Sequence, residues 1–335
     1  MHNQGSYHRD LTIKQPLVSI VTPSYNQVAF LEHTIQSVLD QDYPDIEYIV
    51  IDGGSTDGSV DTIKKYESRL AYWVSEPDRG QSHAINKGWQ RATGEIVAYL
   101  NSDDLYAPGA ITAAVQALTS DPEKCMVYSD ALVVDEHGQL LRILRGRPFD
   151  IRRQLVTEGL VPQPTAFIRR QSLDSVGLLD ESLHLVMDYD LWIRLGLQYS
   201  IMYVPGSYWA KFREHTSAKS TASMARFPLE RQQVLQKVFA KPHLPSVIQE
   251  LRRDAYAGIS LERAKLALHA GQPQLILQPL LRGVVESPSF IARAPLAYYL
   301  FLRGMLPWWK GSPSRAVGEM LRLVQGMRGK SNASH

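Results

Sequence analysis

Between residues 17 and 100, short β-branched runs alternate with longer amphipathic ones, which restricts the chain to a small set of folds. Residues 17–22 (Leu-Val-Ser-Ile-Val-Thr), 46–51 (Ile-Glu-Tyr-Ile-Val-Ile), 72–75 and 96–100 read as strands. Residues 28–39, 60–66 and 81–92 between them read as helices, with apolar side chains spaced near three and four. Repeated strand–helix units predict an α/β fold, a mostly parallel sheet flanked by helices on both faces.

Beyond about Ala131 the strand signals lose their regularity. Residues 189–197 are predicted to be a helix feeding a strand at 201–204, and past Phe227 strand signals nearly vanish. Residues 229–239, 245–257 and 260–270 then read as helices broken by Pro and Gly. A boundary is expected near Met224. It separates a flexible arm (1–15) and an α/β unit (16–224, in halves of about 16–130 and 131–224) from a helical C-terminal extension (225–335).

Composition narrows the function classes. A hydrophobic fraction of 44% and a charged fraction of 21% exclude extensive disorder, and a formal net charge of +2 argues against a nucleic-acid partner. The single cysteine, Cys125, has no intramolecular partner and fits a reducing compartment. The first 15 residues are polar and no run of about 18 apolar residues occurs, so a cytoplasmic location is expected.

In open α/β sheets, ligands sit beyond the carboxyl ends of the strands, where the strand order reverses. Three strand ends here carry polar groups suited to such a crevice. After the first come Pro23, which stiffens the turn, Tyr25, which offers a ring face to a nucleobase, and Asn26, which can hydrogen-bond. After the second comes Asp52, an acceptor for the imino group of a uracil, in the turn Asp52-Gly-Gly-Ser-Thr-Asp57-Gly. After residues 96–100 come Asn101-Ser-Asp103-Asp104. Turn capping explains any one of these, but their recurrence favours a ligand site. Adjacent carboxylates repel unless a cation intervenes, and hard oxygen ligands suit Mg²⁺ or Mn²⁺ bridging to a diphosphate.

An ordered series of segments extends this reading. Val18-Ser-Ile-Val-Thr-Pro-Ser-Tyr-Asn26, Ile51-Asp-Gly-Gly-Ser-Thr-Asp57, Glu76-Pro-Asp-Arg-Gly80, Ala84-Ile-Asn-Lys-Gly88 and Ala92-Thr-Gly-Glu95 come first. Asn101-Ser-Asp-Asp104, Gln163-Pro-Thr-Ala-Phe167, Val176-Gly-Leu-Leu-Asp180, Met187-Asp-Tyr-Asp-Leu-Trp192 and Phe212-Arg-Glu-His215 follow. Over about 200 residues the series resembles the family 2 glycosyltransferases, which have the GT-A fold. The resemblance implies an inverting, metal-dependent transfer from a nucleotide-sugar donor, a UDP-sugar, to a glycan or lipid-linked acceptor in cell-surface polysaccharide synthesis.

The resemblance also implies roles. Tyr25 and Asp52 would hold the nucleobase, in a pocket shaped by Pro23. Asp103 would be the principal ligand of Mn²⁺ or Mg²⁺, with Asp104 beside it and His215 near the metal or diphosphate. Asn86 and Lys87 would line the nucleotide crevice, and Arg213 and Lys219 are candidates for the phosphates. Asp188 would be the catalytic base. Two positions depart from the family pattern: Asn101 replaces the first acid of the metal motif, and Met187 replaces the glutamate before the base. Two alternatives stand beside this reading, a nucleotidyltransferase and a catalytically silent binding protein with the same fold.

The tail carries a separate signal. The stretch 295–309 is rich in aromatic and aliphatic residues and ends in Trp308 and Trp309. Lys310, Arg315, Arg322, Arg328 and Lys330 follow, opposed by Glu319. Such a segment suits an interfacial anchor at the inner membrane face, and equally a stripe that packs onto the catalytic unit.

Overall fold

The computed structural model describes residues 15–157, 159, 161–215 and 224–305. Four parallel strands form its first half: β1 (Val18–Ser24), β2 (Ile46–Asp52), β3 (Tyr72–Ser75) and β4 (Ile96–Tyr99), in the order β3-β2-β1-β4. Helices α1 (Val28–Leu39), α2 (Ser59–Lys65) and α3 (Gln81–Arg91) connect them, within a residue or two of the predicted bounds. The period-2 side-chain alternation of each strand feeds two layers. Tyr48, Val50, Ile96 and Ala98 pack with Leu31, Ile35 and Val38 of α1. Ile49, Ile51, Val97 and Tyr99 point the other way, onto Ala84, Ile85 and Trp89 of α3. Gly88 lets α3 approach β1, because an added Cβ would lie 2.4 Å from a Val21 methyl.

The second half extends the same sheet. The added elements are β5 (Leu105–Tyr106), α4 (Ala110–Ser120), β6 (Lys124–Val134), β7 (Leu140–Leu144), α5 (Ile151–Val156), β8 (Phe167–Arg169), α6 (Arg170–Val176), α7 (Met187–Gly196) and β9 (Ser200–Arg213). The order runs on from β4 as β8-β6-β9-β5, with β7 paired to β6. β8 is antiparallel to both β4 and β6, whereas β9 runs parallel to β6. β2 lies on one side of β1 and β4 on the other, so the strand order reverses at β1. The crevice predicted by that reversal opens at the carboxyl ends of β1, β2 and β4.

Helices α8 (Phe227–Phe239), α9 (Ser246–Gln249), α10 (Arg252–His269), α11 (Leu277–Glu286), α12 (Pro288–Arg293) and α13 (Pro295–Met305) follow. Val234, Leu235 and Val238 of α8 and Ala255 and Ile259 of α10 belong to the same buried cluster as Trp192 of α7. Packing therefore runs across the expected boundary near Met224. The helices predicted at 245–257 and 260–270 are instead one short turn, α9, and one continuous 18-residue helix, α10. Gly258 is no breaker: an added Cβ there would lie 1.9 Å from the Val156 carbonyl oxygen. The glycine lets α10 rest against the end of α5.

Ala297 and Leu300 of α13 are buried in a smaller core with Ala257, Ala264, Ile276 and Leu280, and Leu302 of the same helix is also buried. This part of the apolar tail faces protein. Trp308, Trp309 and the basic residues after them lie outside the described residues. Among the described residues no helix is long and apolar enough to cross a membrane.

Candidate active site

A cavity of about 890 Å³ occupies the crevice, within the usual range for small-molecule sites. Pro23, Tyr25, Gly53, Asp78, Asp103 and Asp188 are among its walls. Tyr25 is 62% exposed at the rim, its ring open to stacking. Asn26, at φ 51°, makes the tight exit from β1 and ties it to the next turn. Its side-chain carbonyl accepts from the Thr56 amide at 2.9 Å, and its own amide donates to Ser55 Oγ at 2.8 Å.

Asp52 sits at the end of β2, fully buried. Oδ2 accepts from the Gly54 and Ser55 amides and from Ser75 Oγ, and Oδ1 accepts from Ser55 Oγ at 2.5 Å. These bonds shape the turn that presents Gly53 to the cavity. Asp78 reaches the same place from the β3–α3 connection. An added Cβ at Gly53 would lie 2.6 Å from its Oδ2, and its Oδ1 accepts from the Gly80 amide at 2.7 Å.

Asn86 and Lys87 stay out of the cavity. Asn86 is buried and exchanges two hydrogen bonds with the Leu179 backbone, at 2.9 and 3.0 Å. Lys87 pairs with Glu76 at 2.5 Å, and its hydrogen bond and charge hold that carboxylate below its ordinary range. Both serve the α3 scaffold.

The acidic pair after β4 is split by the fold. Asp104 is buried, with Oδ1 accepting from the Arg213 amide at 3.0 Å and Oδ2 from Asn101 at 3.3 Å. Burial first, and Asp103 second, push its carboxyl well above the usual range. Asp104, expected on the metal beside Asp103, instead points into the protein and does not line the cavity. Asp103 does line it, and its Oδ2 lies 3.1 Å from His215 Nε2. The imidazole is held by the Phe30 ring, with centroids 4.6 Å apart. Asn101 also joins an amide network, accepting from Gln81 at 2.6 Å and meeting Gln163 at 3.3 Å.

Arg213, at the end of β9, is the least settled group nearby. It is 5% exposed and lies 4.7 Å over the Phe30 ring, while Nε and Nη1 have no hydrogen-bond partner among the described residues. Burial lowers its pKa, opposed by the charges of Asp104 and Asp103. A buried guanidinium with open donors on a cavity wall suits an anionic oxygen ligand.

Across the cavity stands α7. Asp188 is its second residue, where the helix N-terminus favours a carboxylate. Glu230 accepts from the His184 and Leu185 amides just before the helix, at 2.9 and 2.7 Å. Arg194 bonds Asp190 at 2.8 Å and caps the carbonyls of Val176, Gly177 and Leu178. Asp190 is thus committed to structure, and Met187 is buried in the core.

The profile described as Glycosyl transferase family 2 matches residues 19–177. An uncharacterized glycosyltransferase of Rickettsia typhi is 30% identical over 233 residues, covering 68% of this chain and 72% of that one. The chain belongs to glycosyl transferase family 2.

This glycosyltransferase also matches a putative teichuronic acid biosynthesis glycosyltransferase, TuaG, of Bacillus subtilis. The two are 44% identical over 97 residues, 28% of this chain and 38% of the other. Two solved structures share its fold. S. aureus TarS 1–349, in complex with UDP-GlcNAc, has TM-score 0.63 and 16% identity over 85% of this chain and 86% of that one. The mannosyltransferase PcManGT of Pyrobaculum calidifontis, in complex with GDP-Man and Mn²⁺, has TM-score 0.56 and 20% identity over 89% of each. The transferase has a GT-A-like fold, a mixed α/β sheet with helices on both faces and further helices at the C-terminus. Of its cavity residues, Asp78, Gln81, Gln163 and His184 were not singled out from sequence. The first three fall in or beside segments that carried the family resemblance.

Proposed function

We propose that the enzyme moves a sugar from a UDP-sugar, with inversion, to a hydroxyl of a glycan or lipid-linked acceptor in cell-surface polysaccharide assembly. One observation carries this reading: Asp188 and the group formed by Asp103 and Arg213 line the same 890 Å³ cavity. Their sharing of one cavity supports a reading in which Asp188 is the proton acceptor and Asp103 with Arg213 the anion-binding group for one substrate. Tyr25 and Pro23 supply the nucleobase wall, and Asp52 and Asn26 shape it from behind.

In the proposed reaction the Asp188 carboxylate accepts the proton of the acceptor hydroxyl. The new C–O bond forms on one face of the anomeric carbon as the bond to the diphosphate oxygen breaks on the other. Such a base contributes about 10²–10⁴-fold. The departing diphosphate carries away the bonding electron pair and meets the open donors of Arg213. Asp103 and His215, a carboxylate and an imidazole 3.1 Å apart beside it, are the residues that would hold a divalent ion. Bound there, Mn²⁺ or Mg²⁺ would neutralise charge on the leaving group. The TarS and PcManGT complexes and the TuaG match support the donor, metal and polysaccharide parts of this reading.

The test is Asp188→Asn. Transfer from UDP-GlcNAc or another accepted UDP-sugar is expected to fall by about 10² or more, with UDP affinity kept within about threefold, roughly 0.7 kcal/mol. Turnover close to the parent's would remove Asp188 as the base. A parent protein that binds UDP-sugars but neither transfers nor hydrolyses them would be a silent binding fold.

A further inference from the structure

Helix α11 carries more apolar surface than its neighbours cover. At 3.6 residues per turn its apolar side chains form one continuous arc, from Ile276 and Leu280 through Leu277 and Val284 to Leu281 and Val285. One side of the arc is covered: Ile276 and Leu280 are buried with Ala257 and Ala264 of α10 and Leu300 of α13. The other side is open, with Val284 43%, Leu281 58% and Val285 77% exposed. The polar face of the helix lies elsewhere, where Arg282 and Glu286 pair one turn apart at 4.0 Å. Single exposed apolar residues are ordinary, but three adjoining ones that continue a buried stripe mark a surface with a partner.

The described residues end beside this open side. The last turn of α13 lies against the start of α11: an added Cβ at Gly304 would be 2.9 Å from Leu277 and 3.4 Å from Ile276. Leu277 sits where the covered and open sides of the arc meet, so the chain beyond Met305 starts at the edge of the open face.

The sequence that follows suits that face. Residues 314–328, outside the described residues, have the pattern of an amphipathic helix. Val317, Met320, Leu321, Val324 and Met327 fall on one half of a 3.6-residue wheel, and Arg315, Glu319, Arg322 and Gln325 on the other. Ser314 stands at the N-cap position and Gly329 just past the end. Gly318 and Gly326 weaken such a helix in isolation, so it needs a surface on which to bury its apolar half. Residues 306–313 extend to about 26 Å. A ten-residue helix such as α11 is about 15 Å long, so all of its open face is within reach.

We propose that residues 314–328 form a helix that docks on the open face of α11, with Val317, Met320, Leu321 and Val324 covering Leu281, Val284 and Val285. Arg315 and Arg322 then face outward, and Trp308 and Trp309 lie in a short connection tied to the helical extension at both ends. No residue of α11 lines the catalytic cavity, so this docking is independent of the sugar-transfer reading.

The test is hydrogen exchange of the full chain, read by mass spectrometry. Amides of 314–328 are expected to exchange at least about tenfold slower than unfolded-chain rates. Leu281→Glu and Val285→Glu, both at exposed positions, are each expected to bring those rates to within about twofold of the unfolded ones, while Arg322→Gln leaves them slow. Slow exchange at Ile46–Asp52 shows that the sheet stays folded in each variant. The proposal is overturned if amides of 314–328 in the parent exchange at unfolded rates, or if their protection survives both glutamate variants. Protection that appears only with anionic vesicles would assign the segment to lipid. Protection lost on dilution, with a dimeric mass by light scattering, would put a second copy on the face. Either result also overturns it.

Discussion

Asp103 and Asp104 are neighbours in sequence with different surroundings: the first opens on the cavity beside His215, while the second is sealed under the Arg213 amide. That difference yields a paired prediction. Asp103→Ala is expected to weaken UDP-sugar affinity about tenfold, about 1.4 kcal/mol, with Mn²⁺ present and to leave it unchanged in excess EDTA. Asp104→Asn keeps an acceptor for the Arg213 amide and removes a carboxylate whose pKa burial has already raised. It is expected to keep Mn²⁺-dependent affinity within about threefold. Calorimetry on both variants checks the pair, and equal losses would show that Asp104 turns toward the metal.

Helix α10 shows how an element can contradict its residue propensities. Gly→Ala inside a helix usually stabilises by about 1 kcal/mol, but at Gly258 the added methyl meets the Val156 carbonyl oxygen at 1.9 Å. Gly258→Ala is therefore expected to destabilise by about 1–3 kcal/mol, visible as a lower Tm. A raised Tm would mean that α5 and α10 separate freely.

At the other end of the sheet, Glu47 of β2 binds Ser19 of β1, the Thr93 hydroxyl and the Thr93 amide. Burial raises its pKa, but hydrogen bonds from Ser19 and Thr93 outweigh it and the net shift is downward. A lowered carboxylate pKa contributes stability that is complete above the unfolded value, about 4.3, and fades as pH falls through the folded one. Glu47→Gln is expected to cost about 1 kcal/mol at pH 7, and the gap from the parent should close in acid below about pH 4. Denaturant melts at several pH values test this, and a gap independent of pH would discount the charge.

On the scale of the whole molecule, α10 joins two cores. Ala255 and Ile259 pack with the α7 side of the catalytic core, and Ala257 and Ala264 pack with α11 and α13. The α13 stripe is thus used internally, which leaves Trp308, Trp309 and the basic residues that follow in sequence as the proposed membrane contact. The full chain is expected to float with anionic vesicles at low salt and to be released as salt screens the surface. A chain ending at Met305 is expected to stay in the soluble fraction. If the two forms behave alike, the tail has no lipid role.

The sequence by itself determined the α/β alternation, the mostly parallel character of the sheet and the place where polar strand ends gather. Those depend on local periodicity, and a buried strand and an amphipathic helix each carry their period in a short window. Tertiary structure decided which polar residue lines the cavity. Asn26, Asp52, Asn86 and Asp104 look like Tyr25, Asp78 and Asp103 in composition, but the first four spend their hydrogen bonds on neighbouring backbone. Partners such as Thr56, Leu179 and Arg213 lie tens of residues away, and chain closure alone brings them into reach. The same closure set Gln154, Trp192 and Phe227 around one small cavity and carried α10 unbroken past Gly258. Periodicity reports which face of an element is apolar; what that face meets is a property of the assembled chain.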